Sequence, residues 1–249
     1  MSNALVVIPT FDEIENIERL LRNVFSLQRD YCVLVVDDNS PDGTGQKVKE
    51  MMQEFPERLF IEERQGKMGL GTAYIHGFKW ALQREYEYIF EMDADFSHNP
   101  NDLIRLQNAC VKDGYDMAIG SRYVKGVNVV NWPMSRVLLS WLASKYVRFV
   151  TRMKIYDTTA GFVCYHHSVL RKINLDKIQF VGYAFQIEMK YKAYLAKFSI
   201  MEVPVIFTDR TKGESKMSGG IISEAIFGVI KMKFKSLFGN NNNNNYNEI

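Results

Sequence analysis

Tyr88-Ile-Phe-Glu-Met-Asp-Ala-Asp-Phe-Ser-His98 runs from an apolar stretch into two carboxylates that flank one small residue. The stretch Tyr88 to Met92 reads as a buried strand. Residues i and i+2 of an extended chain share a face, so Asp93 and Asp95 can approach one cation as the chain leaves the strand. Hard oxygen ligands suit Mg²⁺ or Mn²⁺, and Mg²⁺ commonly takes one or two carboxylates together with substrate phosphates. Such a cation would neutralise charge building on a diphosphate leaving group. Ser97 and His98 can add ligands directly or through water. An Asp-x-Asp pair on its own is common, and a solvated acidic turn is its commoner meaning. Its setting in the chain decides between the two.

Working outward, Leu5 to Ile8 is an apolar run closed by Pro9, another buried strand. Asp12 to Phe25 carries Ile14, Ile17, Leu20, Leu21, Val24 and Phe25 at helical spacing. Tyr31 to Val36 is a strand ending in the acidic turn Asp37 to Thr44. Gly45 to Phe55 reads as helix, Leu59 to Ile61 as strand, and the glycine-rich Gly66 to Gly71 opens a helix from Thr72 to Arg84. Further on, Asp116 to Ile119 is a strand leading to Gly120-Ser-Arg-Tyr123. Pro133 to Met153 is mainly helical, Gly161 to Tyr165 a strand, Ala184 to Leu195 a helix and Ile200 to Phe207 a strand. Gly213 to Gly220 is a loop before a last helix, Ile221 to Phe238. This alternation predicts an α/β fold: a right-handed, mostly parallel sheet with helices on both faces. Ligands of such sheets bind at the carboxyl ends of strands. Pro9 to Glu13, Asp37 to Asp42 and Asp93 to Ser97 all fall there, and this convergence favours a metal and diphosphate site. One domain is expected over 1–239, and residues 240–249, with six asparagines from Asn240 to Asn245, form a low-complexity tail expected to be disordered.

Composition narrows the function. A hydrophobic fraction of 47% suffices for a core, and a net charge of +2 is too mild for a nucleic-acid binder. Cys32, Cys110 and Cys164 are odd in number and widely spaced, which suggests buried reduced thiols in a cytoplasmic protein. The N-terminus lacks a basic region before Pro9 and reads as a first strand, not a signal peptide. No apolar run approaches the roughly 18 residues of a membrane span. His166 and His167 are adjacent, so in a strand they face apart and do not share an ion.

The order of motifs resembles the dolichol-phosphate (polyprenyl-phosphate) mannose synthases, family-2 glycosyltransferases of GT-A fold, over about Leu5 to Phe238. The segments are Val7-Ile-Pro-Thr-Phe-Asp-Glu13, Val35-Val-Asp-Asp-Asn-Ser-Pro-Asp-Gly-Thr44, Gly66-Lys-Met-Gly-Leu-Gly-Thr-Ala-Tyr74, Met92 to His98, Gly120 to Tyr123, Asp157-Thr-Thr-Ala-Gly-Phe162, Gly182 to Glu188, Glu202 to Phe207 and Asp209-Arg-Thr-Lys-Gly-Glu-Ser-Lys216. The first two are shared by many nucleotide-sugar enzymes; the later ones are more specific to polyprenyl-phosphate acceptors. The chain departs from the family pattern at Phe11 and Asp12, where Tyr and Asn are usual, at Ser97, which is Gln in some relatives, and at Val163, where many have Arg.

The resemblance implies roles. Pro9, Phe11, Glu13, Val36 and Asp38 would line the nucleoside site. Asp93, Ala94, Asp95 and Ser97 would surround the metal and diphosphate, with Asp93, Asp95 and Ser97 as ligands. Arg122 and Arg136 would hold the acceptor, Arg136 with a catalytic role beside Asp93 and Asp95. Arg210 and Lys216 would meet phosphate oxygens, and Arg122, Arg210 and Lys216 would also face the nucleotide-sugar. The implied reaction is inverting transfer of a hexose, mannose from GDP-mannose, to dolichyl or polyprenyl phosphate with Mg²⁺ or Mn²⁺. A phosphate monoester is largely dianionic at neutral pH, its second ionisation lying near ~6, so this acceptor needs no general base. Val137 to Phe149 and Ile221 to Phe238 mix apolar and basic residues as interfacial helices do, which implies peripheral contact with the cytoplasmic face of a membrane or with a membrane partner subunit. Two other readings stay open: a glucosyltransferase using UDP-glucose, and a non-catalytic nucleotide- or lipid-binding module.

Overall fold

The computed structural model describes residues 3–182, 184–209 and 219–238. The strands are β1 Ala4–Thr10, β2 Cys32–Asp37, β3 Leu59–Glu63, β4 Tyr88–Glu91, β5 Met117–Ser121, β6 Val129–Val130, β7 Val163–His166, β8 Ile200–Pro204 and β9 Phe207–Thr208. The helices are α1 Ile14–Phe25, α2 Thr44–Met51, α3 Leu70–Gln83, α4 Asp102–Val111, α5 Met134–Thr151, α6 His167–Lys172, α7 Ala184–Leu195 and α8 Gly219–Phe238.

Seven strands form one sheet in the order β3-β2-β1-β4-β7-β5-β8. All run parallel except β7, which opposes both β4 and β5. The mostly parallel sheet expected from the sequence is therefore present. Alternation along β1 splits the core in two. Leu5 and Val7 pack with α3, α5 and α7 on one face, and Ala4, Val6 and Ile8 with α1, α2 and α4 on the other. Burial on both faces is why these strands read as continuous apolar runs. Pro9 is tolerated in this central strand for a local reason. The Val7 carbonyl accepts from Met92 N, so Pro9, two residues on, also faces β4, whose last pair with β1 is Val7↔Glu91. The missing N–H thus falls where pairing has ended.

Helix α3 lies unusually near the sheet: a Cβ on Gly77 would sit 2.4 Å from Val7 Cγ1. That approach carries Tyr74 to the end of β4. The helix α4 is absent from the strand–helix reading, although its inward residues Leu103, Leu106 and Cys110 recur at helical spacing. The single strand expected over Ile200 to Phe207 breaks at Pro204. Val205 N donates to Ser121 O, and the chain then leaves the main sheet to pair β9 with β6. His166 ends β7 and His167 starts α6, with ring centroids 4.4 Å apart. They do not face apart as strand neighbours would, yet no acid, cysteine or histidine cluster fit to hold a metal forms among the described residues. All three cysteines are buried and free. The expected loop from Gly213 lies outside the described residues up to 218, and α8 starts at Gly219, two residues earlier than the sequence suggests. The Asn-rich tail also lies outside them.

Candidate active site

Three strand ends meet at the carboxyl edge of the sheet, and at each the backbone turns through a left-handed residue: Asp12 (φ 59), Asn39 (φ 58) and Phe96 (φ 61). Asp and Asn tolerate this conformation; Phe does not, and the cost is about 1–2 kcal/mol. The Asp95 carboxylate supports the Phe96 turn by accepting from Ser97 N at 3.0 Å, and Arg19 lies 4.5 Å from the Phe96 ring centroid.

The acidic turn after β2 divides its labour. Asp37 accepts from Thr10 Oγ1 (2.7 Å), Ser40 Oγ (2.6 Å) and Ser40 N (2.9 Å). Asp42 accepts from Ile14 N, Thr44 N and Thr44 Oγ1, joining the starts of α1 and α2. Both build the turn. Asp38 faces the other way: its Oδ1 accepts from Arg64 Nε at 2.6 Å, while Arg64 Nη1 donates to Thr72 Oγ1 at 2.7 Å. Arg64 follows β3 and precedes the glycine-rich loop, and it is absent from the sequence reading. Gly69 in that loop has φ +98, and Lys67 reaches across to lie 4.9 Å from the Phe11 ring centroid. Lys67 thus contacts Phe11 after β1, and Arg64 ties Asp38 after β2 to Thr72 in α3. Glu13 caps α1 and accepts from Asn16 Nδ2. The Val36 side chain is fully buried in the core, so only its backbone can face a ligand.

The Asp93–Asp95 turn is held from two sides. Tyr74 of α3 donates to Asp93 Oδ1 at 2.9 Å. His98 Nδ1 accepts from Asp93 N at 3.0 Å, which leaves the ring proton on Nε2. Burial pushes the His98 pKa down to about 4, so the ring is neutral. His98 Nδ1 is therefore committed to the backbone and is no direct ligand. Ala94, Asp95 and Ser97 are buried, and Ser97 Oγ has no hydrogen-bond partner among the described residues. Two carboxylates and an orphaned hydroxyl within five residues are hard oxygen donors. They fit Mg²⁺ or Mn²⁺ completed by substrate phosphates, not a cage built from protein alone.

Beneath this turn lies a buried polar line that the sequence does not reveal. Glu91 accepts from Tyr165 Oη at 2.7 Å and from Gln186 Nε2. Lys190 donates to the Ala160 carbonyl at 2.5 Å and to Gln186 Oε1 at 3.2 Å. Burial raises the Glu91 carboxyl to about 7, with Lys190 pulling back, and lowers Lys190 to about 8. Glu188 joins a separate internal network: it accepts from Gln179 N and Phe180 N and pairs with Lys192.

Of the two arginines expected to hold the acceptor, Arg122 is only 6% exposed. It donates from Nε to Asp157 Oδ2 (2.7 Å) and from Nη2 to Asp157 Oδ1 (2.6 Å) and Thr159 Oγ1 (2.7 Å). This guanidinium is committed within the protein. Arg136, at the start of α5, lies 4.0 Å from the Trp132 ring centroid and pairs with Asp209 at 2.6 Å. The arms meet through aromatic contacts: His98 stacks on Phe162 and meets Phe207 edge-on, and Phe207 meets Trp132. Arg210 and Lys216 lie outside the described residues.

A family model described as Glycosyl transferase family 2 matches residues 5–178. The chain is 47% identical over 225 residues to the polyprenol monophosphomannose synthase of Mycolicibacterium smegmatis, covering 90% of this chain and 84% of that one. It is 44% identical to the undecaprenyl-phosphate mannosyltransferase of Micrococcus luteus, covering 91% and 92%. Among solved structures, glucosyl-3-phosphoglycerate synthase from Mycobacterium tuberculosis, in complex with Mn²⁺, UDP and glucosyl-3-phosphoglycerate, superposes with a TM-score of 0.67. It is 13% identical, over 95% of this chain and 80% of that one, a likeness of fold.

Proposed function

The chain belongs to glycosyl transferase family 2, and from that premise we propose that it transfers mannose, from GDP-mannose, to a polyprenyl phosphate, yielding polyprenyl-phosphate-mannose and GDP. The observation that carries the site is the Asp93–Asp95 turn, fixed by Tyr74 and His98 at the carboxyl edge of the sheet beside an unpartnered buried Ser97 hydroxyl. Asp93, Asp95 and Ser97 would hold Mg²⁺ or Mn²⁺. Such an ion supplies charge neutralisation on the diphosphate as the bond to the sugar breaks.

Pro9, Phe11, Glu13, the Val36 backbone and Asp38 line the nucleoside side, with Arg64 orienting Asp38 and Lys67 over Phe11. Ala94, buried and small, lets the diphosphate approach the turn. Arg136 holds the acceptor phosphate, in competition with Asp209. Arg122, committed to Asp157, acts as a positioning residue that fixes the Tyr123 and Trp132 rings beside Arg136. Arg210 and Lys216, which follow Asp209 in sequence, complete the phosphate contacts. The acceptor arrives as a dianion, so the chain supplies orientation and charge in place of a base, and direct displacement inverts the anomeric carbon.

The acceptor's tail stays in a bilayer while its phosphate reacts. Among the described residues no helix is long and apolar enough to cross a membrane. Helices α5 and α8 pack together, and each presents apolar side chains to solvent: Met134, Leu138, Leu142 and Phe149 on one, Phe227 and Phe234 on the other. Peripheral docking on the cytoplasmic face follows, directly or beside a membrane partner subunit, with one catalytic domain over 1–239. The test is a donor panel, GDP-mannose and UDP-glucose included, with a short polyprenyl phosphate, with and without Mn²⁺. Turnover with UDP-glucose alone would overturn the mannose assignment. A product retaining the donor's anomeric configuration would overturn direct displacement.

A further inference from the structure

Tyr123 and Val127 from the loop after β5, Trp141, Lys145 and Arg148 from α5, and Tyr156 line a recess of about 240 Å³. Lys145 Nζ lies 3.7 Å from the Trp141 ring centroid, and the Arg148 guanidinium 4.3 Å from that of Tyr156. Neither cation meets a carboxylate among the described residues, and α5 contains no Asp or Glu at all. The nearby Glu202 carboxylate is spent on Tyr156 N and Asp157 N. Two cations held on aromatic faces without an ion-pair partner among the described residues make the recess complementary to an anion with an organic body.

Its place on the helix says which anion. At about 100° per residue, Trp141, Lys145 and Arg148 fall in one stripe, and Leu138, Leu142 and Phe149 in a second stripe roughly a quarter-turn away. The second stripe is exposed, Phe149 to 71%. An apolar stripe sinks roughly 5–10 Å into the headgroup boundary, which puts the adjacent cations at phosphate depth, where Lys and Arg side chains settle.

We propose that this recess binds the phosphodiester headgroup of an anionic glycerophospholipid, the phosphate between Lys145 and Arg148 and the glycerol against Trp141 and Tyr156. The proposal rests on the peripheral-membrane reading and specifies its contact. A phosphodiester has one ionisation and no free nucleophilic oxygen dianion, so this lipid is a docking ligand, not an acceptor. Its hold on α5 also fixes the height of Arg136, on the same helix, above the bilayer.

The test uses the full chain and dihexanoylphosphatidylglycerol below its micelle concentration, followed by the Trp141 indole N–H resonance, with dihexanoylphosphatidylcholine as the neutral comparison. A saturable shift is expected, about tenfold or more tighter for the glycerol headgroup. The Lys145→Gln/Arg148→Gln variant should abolish that preference, read by protein fluorescence where the resonance moves. Trp141→Leu, which changes no charge, should weaken vesicle binding selectively on phosphatidylglycerol, while Lys231→Gln/Lys233→Gln should leave the soluble-lipid shift in place. Turnover with a short soluble acceptor should be unchanged in Trp141→Leu. An anionic-lipid preference that survives Trp141→Leu intact would mean unspecific charge attraction and overturn the proposal. So would displacement of the lipid by a short isoprenyl phosphate, which would assign the recess to the acceptor. Vesicle binding without any soluble-lipid shift would sink the recess and spare the membrane reading. A soluble-lipid shift without vesicle binding would do the reverse.

Discussion

Replacing Asp157 by Ala should cost the fold about 3–5 kcal/mol, the usual consequence of stranding one member of a buried ion pair. The geometry supports the upper part of that range. Asp157 is fully buried and accepts three hydrogen bonds from Arg122, at 2.7 and 2.6 Å from the guanidinium and 2.9 Å from the backbone. Without it Arg122 keeps Thr159 and the rings of Tyr123, Trp132 and Phe207, none of which carries a charge. For a chain of this size each kcal/mol moves the melting temperature by about 2–4 °C, so a fall of roughly 6–20 °C is expected. Urea unfolding of Asp157→Ala, Arg122→Met and an Arg122→Met/Asp157→Leu double variant would measure it. The double variant should be more stable than Asp157→Ala, since it strands no charge. A loss under about 1 kcal/mol for Asp157→Ala, or a double variant no better than the single, would refute the assignment of Arg122 as a structural cation. The pair also sets a pH signature. Burial raises the Asp157 pKa, but the Arg122 charge and hydrogen bonds outweigh it and the net shift is downward. The stabilisation is therefore fully present above the unfolded value near ~3.9 and is lost as pH falls through the lower folded value. The stability gap between wild type and Asp157→Asn should close only in that acid range.

Arg136→Ala should raise KM for the lipid phosphate and lower kcat/KM by roughly 10- to 150-fold, the worth of one charge-assisted hydrogen bond, while calorimetry finds donor affinity little changed; equal loss of both would remove Arg136 from the acceptor side. Gly77→Ala places a methyl at 2.4 Å from Val7 Cγ1 and should cost about 1–3 kcal/mol in urea unfolding, partly recovered by Val7→Ala in the same chain. His98→Asn keeps an acceptor near the Nδ1 position and should hold Mn²⁺ better than His98→Gln or His98→Leu, by about tenfold in a free-Mn²⁺ titration; a leucine variant that binds Mn²⁺ like the wild type would release His98 from that role.

What the sequence made legible follows from which contacts are local. The parallel strands at Leu5, Tyr31 and Tyr88 are visible because burial on both faces leaves continuous apolar runs. Asp93 and Asp95 are visible because two residues span their spacing. The direction of β7 was not, because nothing in Gly161 to Tyr165 records which way a crossover returns. Nor were Tyr74, Gln186 and Lys190: Tyr74 reaches Asp93 across 19 residues and Gln186 reaches Glu91 across 95. Arg122 and Asp157 each stand inside a quoted motif, but their partnership spans 35 residues and is not legible from either motif alone. Arg64 does carry a signal in the sequence: it directly follows the end of β3, as Asp38 follows β2.

The distribution of buried charge fits a reaction without a general base. If a hydroxyl had to be deprotonated, a carboxylate or imidazole with an accessible, tuned proton site would be needed at the acceptor. The perturbed groups nearest the Asp93 turn are occupied elsewhere. Glu91 is closed off by Tyr165 and Gln186, and His98 spends its free nitrogen on the Asp93 backbone. Their shifted pKa values therefore mark a scaffold that stiffens two carboxylates, not a proton relay. What the turn offers a ligand is oxygen: two carboxylates held in place by Tyr74 and Ser97 N, and the Ser97 hydroxyl, which has no hydrogen-bond partner among the described residues. Arg136, the cation proposed for the acceptor phosphate, is linked to the turn through Trp132, Phe207 and His98. Acid–base residues made inert and charges held rigid are what displacement by a ready-made dianion requires.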